Sequence, residues 1–158
     1  MVYWDSSALI KNYVQETGTE RVKERLRVEE QASRPAFTSV LTFAEIHAAL
    51  ARRMSDKSLS YSMFVSSRKR FEADWAFGLS AIHLGPAVLS TVRDVVRLGL
   101  KSADAIHLAS AIWLRDINSL GPARAARDAS LLFLTADEKL GWAAAKKRFA
   151  VFNPLTEA

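Results

Sequence analysis

The chain has 158 residues, 49% of them apolar and 25% charged, a mixture that predicts one globular domain over 1–158 with a full hydrophobic core rather than a disordered polymer. It has no cysteine, so a disulfide framework and a thiolate zinc site are excluded, and a reducing, cytoplasmic setting is expected. Lys and Arg number 22 against 17 Asp and Glu, a net charge of +5, which favours polyanionic partners such as nucleic acid.

Val2-Tyr3-Trp4 reads as a short strand ending at Asp5-Ser6-Ser7, which caps a helix from Ala8 to Tyr13. The acid at position 5 comes too early for a signal peptide, and no apolar stretch approaches a membrane span. Gly18-Thr19 opens a second helix to about Val28, and Pro35 to Val40 reads as a second strand. Leu41 to Arg53 follows as a strong helix, with Phe43, Ile46, Leu50 and Met54 near a 3.6 period. Ser60 to Phe77 is another helix, with Arg68-Lys69-Arg70 on its exposed side. Ala81 to Leu84 reads as a strand, and Gly85-Pro86 starts a helix that Gly99 ends. Ser102-Ala103-Asp104 caps the helix Ala105 to Ile117; Gly121-Pro122 marks a turn before a short segment, Ala123 to Asp128. Leu131 to Leu134 suits a central parallel strand buried on both faces. Glu138 to Lys147 is a helix, and Ala150 to Phe152 a final edge strand. This alternation predicts an α/β fold of three layers, α/β/α, around a mostly parallel sheet of about five strands.

Four acids stand where an apolar run gives way to a new element: Asp5, Glu45, Asp104 and Asp137. Carboxylates at strand ends and in first helical turns gather at the edge where open α/β sheets bind ligands. Any one of them alone is more simply a cap or a solvated group. Glu45 is harder to explain that way, lying between Phe43 and Ile46 on an apolar helix face. A cluster of carboxylates repels itself unless cations neutralise it, and hard oxygen donors suit Mg²⁺ or Mn²⁺, ions that activate water against phosphodiesters.

Four segments carry a resemblance. Tyr3 to Lys11 (YWDSSALIK), Ser39 to Ile46 (SVLTFAEI), Ala103 to Ala109 (ADAIHLA) and Phe133 to Leu140 (FLTADEKL) are similar, in order, to the motifs of PIN-domain ribonucleases of the VapC toxin type. The resemblance implies that Asp5, Glu45, Asp104 and Asp137 are catalytic and hold one or two Mg²⁺ or Mn²⁺ ions, with Ser6 and Thr135 lining the same pocket. It also implies an RNA substrate, a homodimer and a small antitoxin that inserts into the active-site groove. Within the same fold the alternative is a housekeeping nuclease of RNA processing. Two departures stand out: Lys101 where relatives often have arginine, and a longer stretch from Asp116 to Ser130.

Among the remaining residues, His47, His83 and His107 are too scattered for a local zinc signature. His107 lies one turn after Asp104, a place for a hydrogen bond behind the acidic pocket. Trp4 and Trp113 read as core, whereas Trp75 and Trp142 are candidates to stack on bases. Arg52, Arg53, Arg68, Lys69 and Arg70 are candidate phosphate contacts, with a solvated face as the bland reading. The same two helices, through Phe64, Phe71 and Trp75, offer ground for an antitoxin's amphipathic segment. A haloacid-dehalogenase-type phosphatase would want an Asp at position 7, where Ser7 stands, and a response-regulator receiver a pair of acids by the first strand. A catalytically idle RNA- or protein-binding module has no need to keep four repelling acids together.

Overall fold

The computed structural model describes residues 1–120 and 131–156. Five strands, β1 (Val2–Trp4), β2 (Ala36–Ser39), β3 (Leu79–Ile82), β4 (Leu132–Leu134) and β5 (Ala150–Phe152), form one sheet in the order β3-β2-β1-β4-β5. Every pairing is parallel: Tyr3 lies opposite Phe37 on one side and Phe133 on the other. Strand order therefore reverses at β1, which opens a crevice beyond the carboxyl ends of β1 and its neighbours.

The helices are α1 (Ser6–Leu9), α2 (Thr19–Gln31), α3 (Leu41–Ser55), α4 (Tyr61–Phe77), α5 (Pro86–Val95), α6 (Ser102–Leu120) and α7 (Glu138–Lys146). They cover both faces of the sheet. The alternation of β1 shows why: Tyr3 points into a core shared with α5, α6 and α7, through Val88, Leu108 and Leu140. Val2 and Trp4 point into a second core with α1 to α4, through Leu9, Val22, Ile46, Leu50 and Phe71. The three-layer α/β/α architecture is thus observed, with β4 inside the sheet and β5 at one edge.

Several boundaries differ from the expectation. The first helix begins at Ser6 and tightens into a 3₁₀ turn over Ile10–Asn12, closed by the Tyr13 amide on the Ile10 carbonyl. The third strand is Leu79–Ile82, two residues earlier than Ala81 to Leu84, because it starts directly after Gly78 and pairs with Ala36–Ser39. The predicted turn at Gly121-Pro122, the segment Ala123 to Asp128 and the greater part of the stretch from Asp116 to Ser130 lie outside the described residues. Among the described residues, no helix is long and apolar enough to cross a membrane.

Candidate active site

The end of β1 delivers Asp5, whose backbone amide donates to the Leu134 carbonyl of β4 at 2.9 Å and so locks the two strand ends together. Its side chain caps α1, accepting from the Ser7 amide at 3.3 Å, and it is 3% exposed. The same oxygen, Oδ2, accepts from the Thr135 hydroxyl at 2.8 Å and from the Ser7 hydroxyl. Thr135 in turn accepts from the Asp137 amide at 3.0 Å, and Ser7 accepts from the Ala136 amide at 2.9 Å. These bonds leave Asp5 Oδ1 as its less committed oxygen. Asp137 caps α7, with Oδ1 on the Leu140 amide at 2.7 Å.

From the other side of the crevice, α3 presents Glu45 and α6 presents Asp104 and His107. His107 is fully buried and joins the set: Nε2 lies 2.7 Å from Glu45 Oε2 and 3.5 Å from Asp5 Oδ1. Its Nδ1 shares a 3.0 Å hydrogen bond with the hydroxyl of Tyr3, itself fully buried and stacked on Phe133. Burial alone would push the imidazole down, but the Asp5 charge, the Glu45 hydrogen bond and charge, and Asp104 together hold it above its ordinary range. Burial would likewise push Glu45 up, yet the hydrogen bond and charge of His107, aided by the Ser6 hydroxyl, hold it down. Asp104 goes the opposite way. Burial first, then the charges of Asp137 and Asp5, push its carboxyl up, and His107 compensates only in part.

Asp5, Glu45, Asp104 and Asp137 thus reach one edge, with Ser6, Thr135 and His107 among them. The sequence marks Ser7 only as part of a helix cap and Tyr3 only as a strand residue; both make bonds that fix the site. Among the described residues, no three His, Asp or Glu side chains stand grouped as a ready cage for an ion. The reason is visible in the hydrogen bonds: Glu45 is turned to His107, Asp137 to its own helix, and Asp5 to Thr135 and Ser7. By donor type and charge the residues nonetheless fit a hard divalent cation. All four acids offer carboxylate oxygen, and the mutual repulsion felt by Asp104 is what such an ion relieves.

The basic residues divide. Arg52 and Arg53 line a cleft of about 480 Å³ that also contains Ser6, Ser7 and Glu45. Arg68 turns to Glu72 at 3.6 Å and lies over the Phe64 ring, while Arg70 donates to the Asn12 carbonyl at 2.8 Å. Lys69 is exposed. Phe71, placed by the sequence reading on a docking face, is 0% exposed: it is core, enclosed by Tyr13, Phe43 and Trp75. Trp142 is half exposed, with Lys146 Nζ 4.0 Å from its ring centre.

An all-parallel five-stranded sheet, helices on both faces and acids converging at the carboxyl edge define a PIN-like α/β protein. The chain matches no family profile. It is 30% identical over 117 residues to Ribonuclease VapC45 of Mycobacterium tuberculosis (strain CDC 1551 / Oshkosh), covering 73% of this chain and 78% of that one. The same figures hold for Ribonuclease VapC49 of Mycobacterium tuberculosis (strain ATCC 25618 / H37Rv). In fold it is similar to the crystal structure of FitAcB from Neisseria gonorrhoeae, with a TM-score of 0.66 and 19% identity over 98% of both chains. A toxin–antitoxin complex from Klebsiella pneumoniae gives 0.61 and 16%, again over 98% of both. The chain belongs to the VapC ribonuclease family of PIN-domain proteins.

Proposed function

We propose that this protein is a metal-dependent endoribonuclease and the toxin of a toxin–antitoxin pair, working in the cytoplasm as a homodimer restrained by a small antitoxin. The observation that carries the reading is the convergence of Asp5, Glu45, Asp104 and Asp137 on one edge, where burial, then the charges of Asp137 and Asp5, push the Asp104 carboxyl up. Relatives named ribonucleases and a neighbour solved as a toxin–antitoxin complex support the substrate class and the partner.

Asp5, Glu45, Asp104 and Asp137 would hold Mg²⁺ or Mn²⁺. When bound, such an ion supplies activation of water for attack on a phosphodiester. The chain's own residues do the positioning. Thr135 and Ser7 fix one oxygen of Asp5 and leave the other for the site. Tyr3 and His107 fix Glu45, so that this carboxylate of α3 is held toward the crevice. The clustered acids would repel an RNA phosphate without a cation between them, which makes the metal a requirement of binding as well as of chemistry.

The test is incubation of a total-RNA or tRNA pool with Mn²⁺, with excess EDTA, and with Asp5→Ala in Mn²⁺. Cleavage is expected in the first case alone. Cutting that survives both EDTA and Asp5→Ala would overturn the assignment.

A further inference from the structure

The cleft beside Glu45 contains charges that the acidic site does not use. Lys11 is 6% exposed, a costly place for an ammonium group. Its Nζ donates to Glu16 Oε1 at 2.7 Å and to the Thr17 carbonyl at 3.0 Å. Arg53 Nη2 donates to the other oxygen of the same carboxylate, Glu16 Oε2. One anion therefore anchors two cations, and this buttress keeps a net positive charge on the cleft wall. Arg52, exposed on the same wall, adds another. The opposing acid, Glu45, is already engaged by His107 and Ser6. Ser6 and Ser7 line both this cleft and the turn that carries Asp5, so the two are continuous.

We propose that this cleft is a binding subsite for a backbone phosphate of the RNA, next to the phosphodiester presented to the four acids. Arg53, Arg52 and Lys11 supply its positive charge, and Glu16 is a positioning residue that holds Lys11 and Arg53 at the wall. The inference rests on the ribonuclease reading and deepens it. A phosphodiester suits the place because it carries one negative charge and accepting oxygens, and contacts to it are indifferent to sequence. Arg68 and Arg70 of α4 are excluded from this subsite, since they are turned to Glu72 and Phe64 and to Asn12 and Tyr13.

The experiment measures binding, in Mn²⁺ and at several salt concentrations, of a labelled single-stranded RNA of mixed sequence to protein carrying Asp5→Asn, which is expected not to cut. Arg53→Gln and Arg52→Gln should each weaken binding about five- to tenfold and reduce the magnitude of the salt slope by about 0.7, the single-strand value for one phosphate contact. Arg97→Gln, the same charge change on an exposed turn that does not line the cleft, should shift affinity by less than about twofold, on the order of a screened effect. Glu16→Gln separates positioning from charge. It adds positive charge, so a simple field predicts tighter binding; loss of the buttress predicts binding about threefold weaker, with Arg53 and Lys11 no longer held. Tighter binding by Glu16→Gln, or equal losses for Arg97→Gln and Arg53→Gln, would overturn the subsite. So would unchanged RNA affinity combined with lost affinity for a polyglutamate peptide, which would assign the cleft to an acidic protein segment. Wild-type protein cutting the same RNA in Mn²⁺, with KM unmoved by Arg52→Gln or Arg53→Gln, refutes the subsite alone. Absence of both cutting and binding refutes the ribonuclease reading.

Discussion

Thr135→Val tests whether the end of β4 is the scaffold of the site. Threonine and valine have nearly the same shape, so the fully buried position keeps its volume and loses only a hydroxyl. Its two shortest bonds go with it, the 2.8 Å donation to Asp5 and the 3.0 Å acceptance from the Asp137 amide, and so does a longer 3.3 Å bond shared with the Ser7 hydroxyl. A hydrogen bond to a charged group is worth about 1.5–3 kcal/mol, and an amide left without a partner costs about 1–3 kcal/mol. Asp5 keeps its bond from Ser7, so the two figures overlap, and the expected loss is about 3 kcal/mol. For a chain of this length that corresponds to a melting temperature lower by about 6–12 °C. The assay is urea unfolding in EDTA, followed by tryptophan fluorescence and far-ultraviolet dichroism, which should coincide if the transition is two-state. Thr135→Ser, which retains the oxygen, should recover most of the loss. A Thr135→Val loss under about 1 kcal/mol would show that water takes over both bonds and that the hydroxyl is no scaffold.

Tyr3→Phe should lower stability in the same assay by about 1–3 kcal/mol, because His107 Nδ1 is left buried without its partner; a loss below about 0.5 kcal/mol would remove Tyr3 from the site. Asp104→Asn should raise the melting temperature at neutral pH in EDTA, since it removes a charge disfavoured by burial and then by Asp137 and Asp5, while abolishing RNA cleavage in Mn²⁺. A fall in melting temperature would mean that the carboxylate is satisfied locally. Gly18→Ala should cost at least about 1–2 kcal/mol, because position 18 is left-handed at φ 88°. A methyl group there would also meet the Pro154 carbonyl oxygen at 3.0 Å, and urea unfolding without a measurable shift would refute the account.

The site's acids were legible because each sits at a boundary the hydrophobic pattern marks. Val2 to Trp4 and Leu132 to Leu134 are runs that a parallel sheet buries, and their carboxyl ends point one way by topology. What holds the acids was less legible. Tyr3 and His107 are 104 positions apart, and no local pattern announces a bond between a strand residue and a helix two layers of sequence away. Ser6 and Ser7 differ only in where the first helical turn points them, so sequence alone could not assign Ser7 to Asp5 and Ser6 to Glu45. Phe71 misled for a related reason. On α4 the apolar residues do not form a clean stripe, and only packing with Phe43 and Trp75 shows which face is inside.

The same hydrogen bonds explain how a protein can keep four acids together while awaiting a cation. Each carboxylate that caps a helix or meets a buried donor has part of its charge compensated by the fold: Asp5 by Thr135 and Ser7, Asp137 by the start of α7, Glu45 by His107. Asp104 draws on the Lys101 backbone and on the charge of His107, yet burial, then the charges of Asp137 and Asp5, outweigh both and push its carboxyl up. Residual repulsion therefore falls on the first turn of α6. The charge left over there, close to Asp137 and Asp5, is the one an incoming cation can meet. On this argument the order of the site comes from its neutral donors and its affinity from the acid they leave unsatisfied, so variants of the two kinds should move stability in opposite directions.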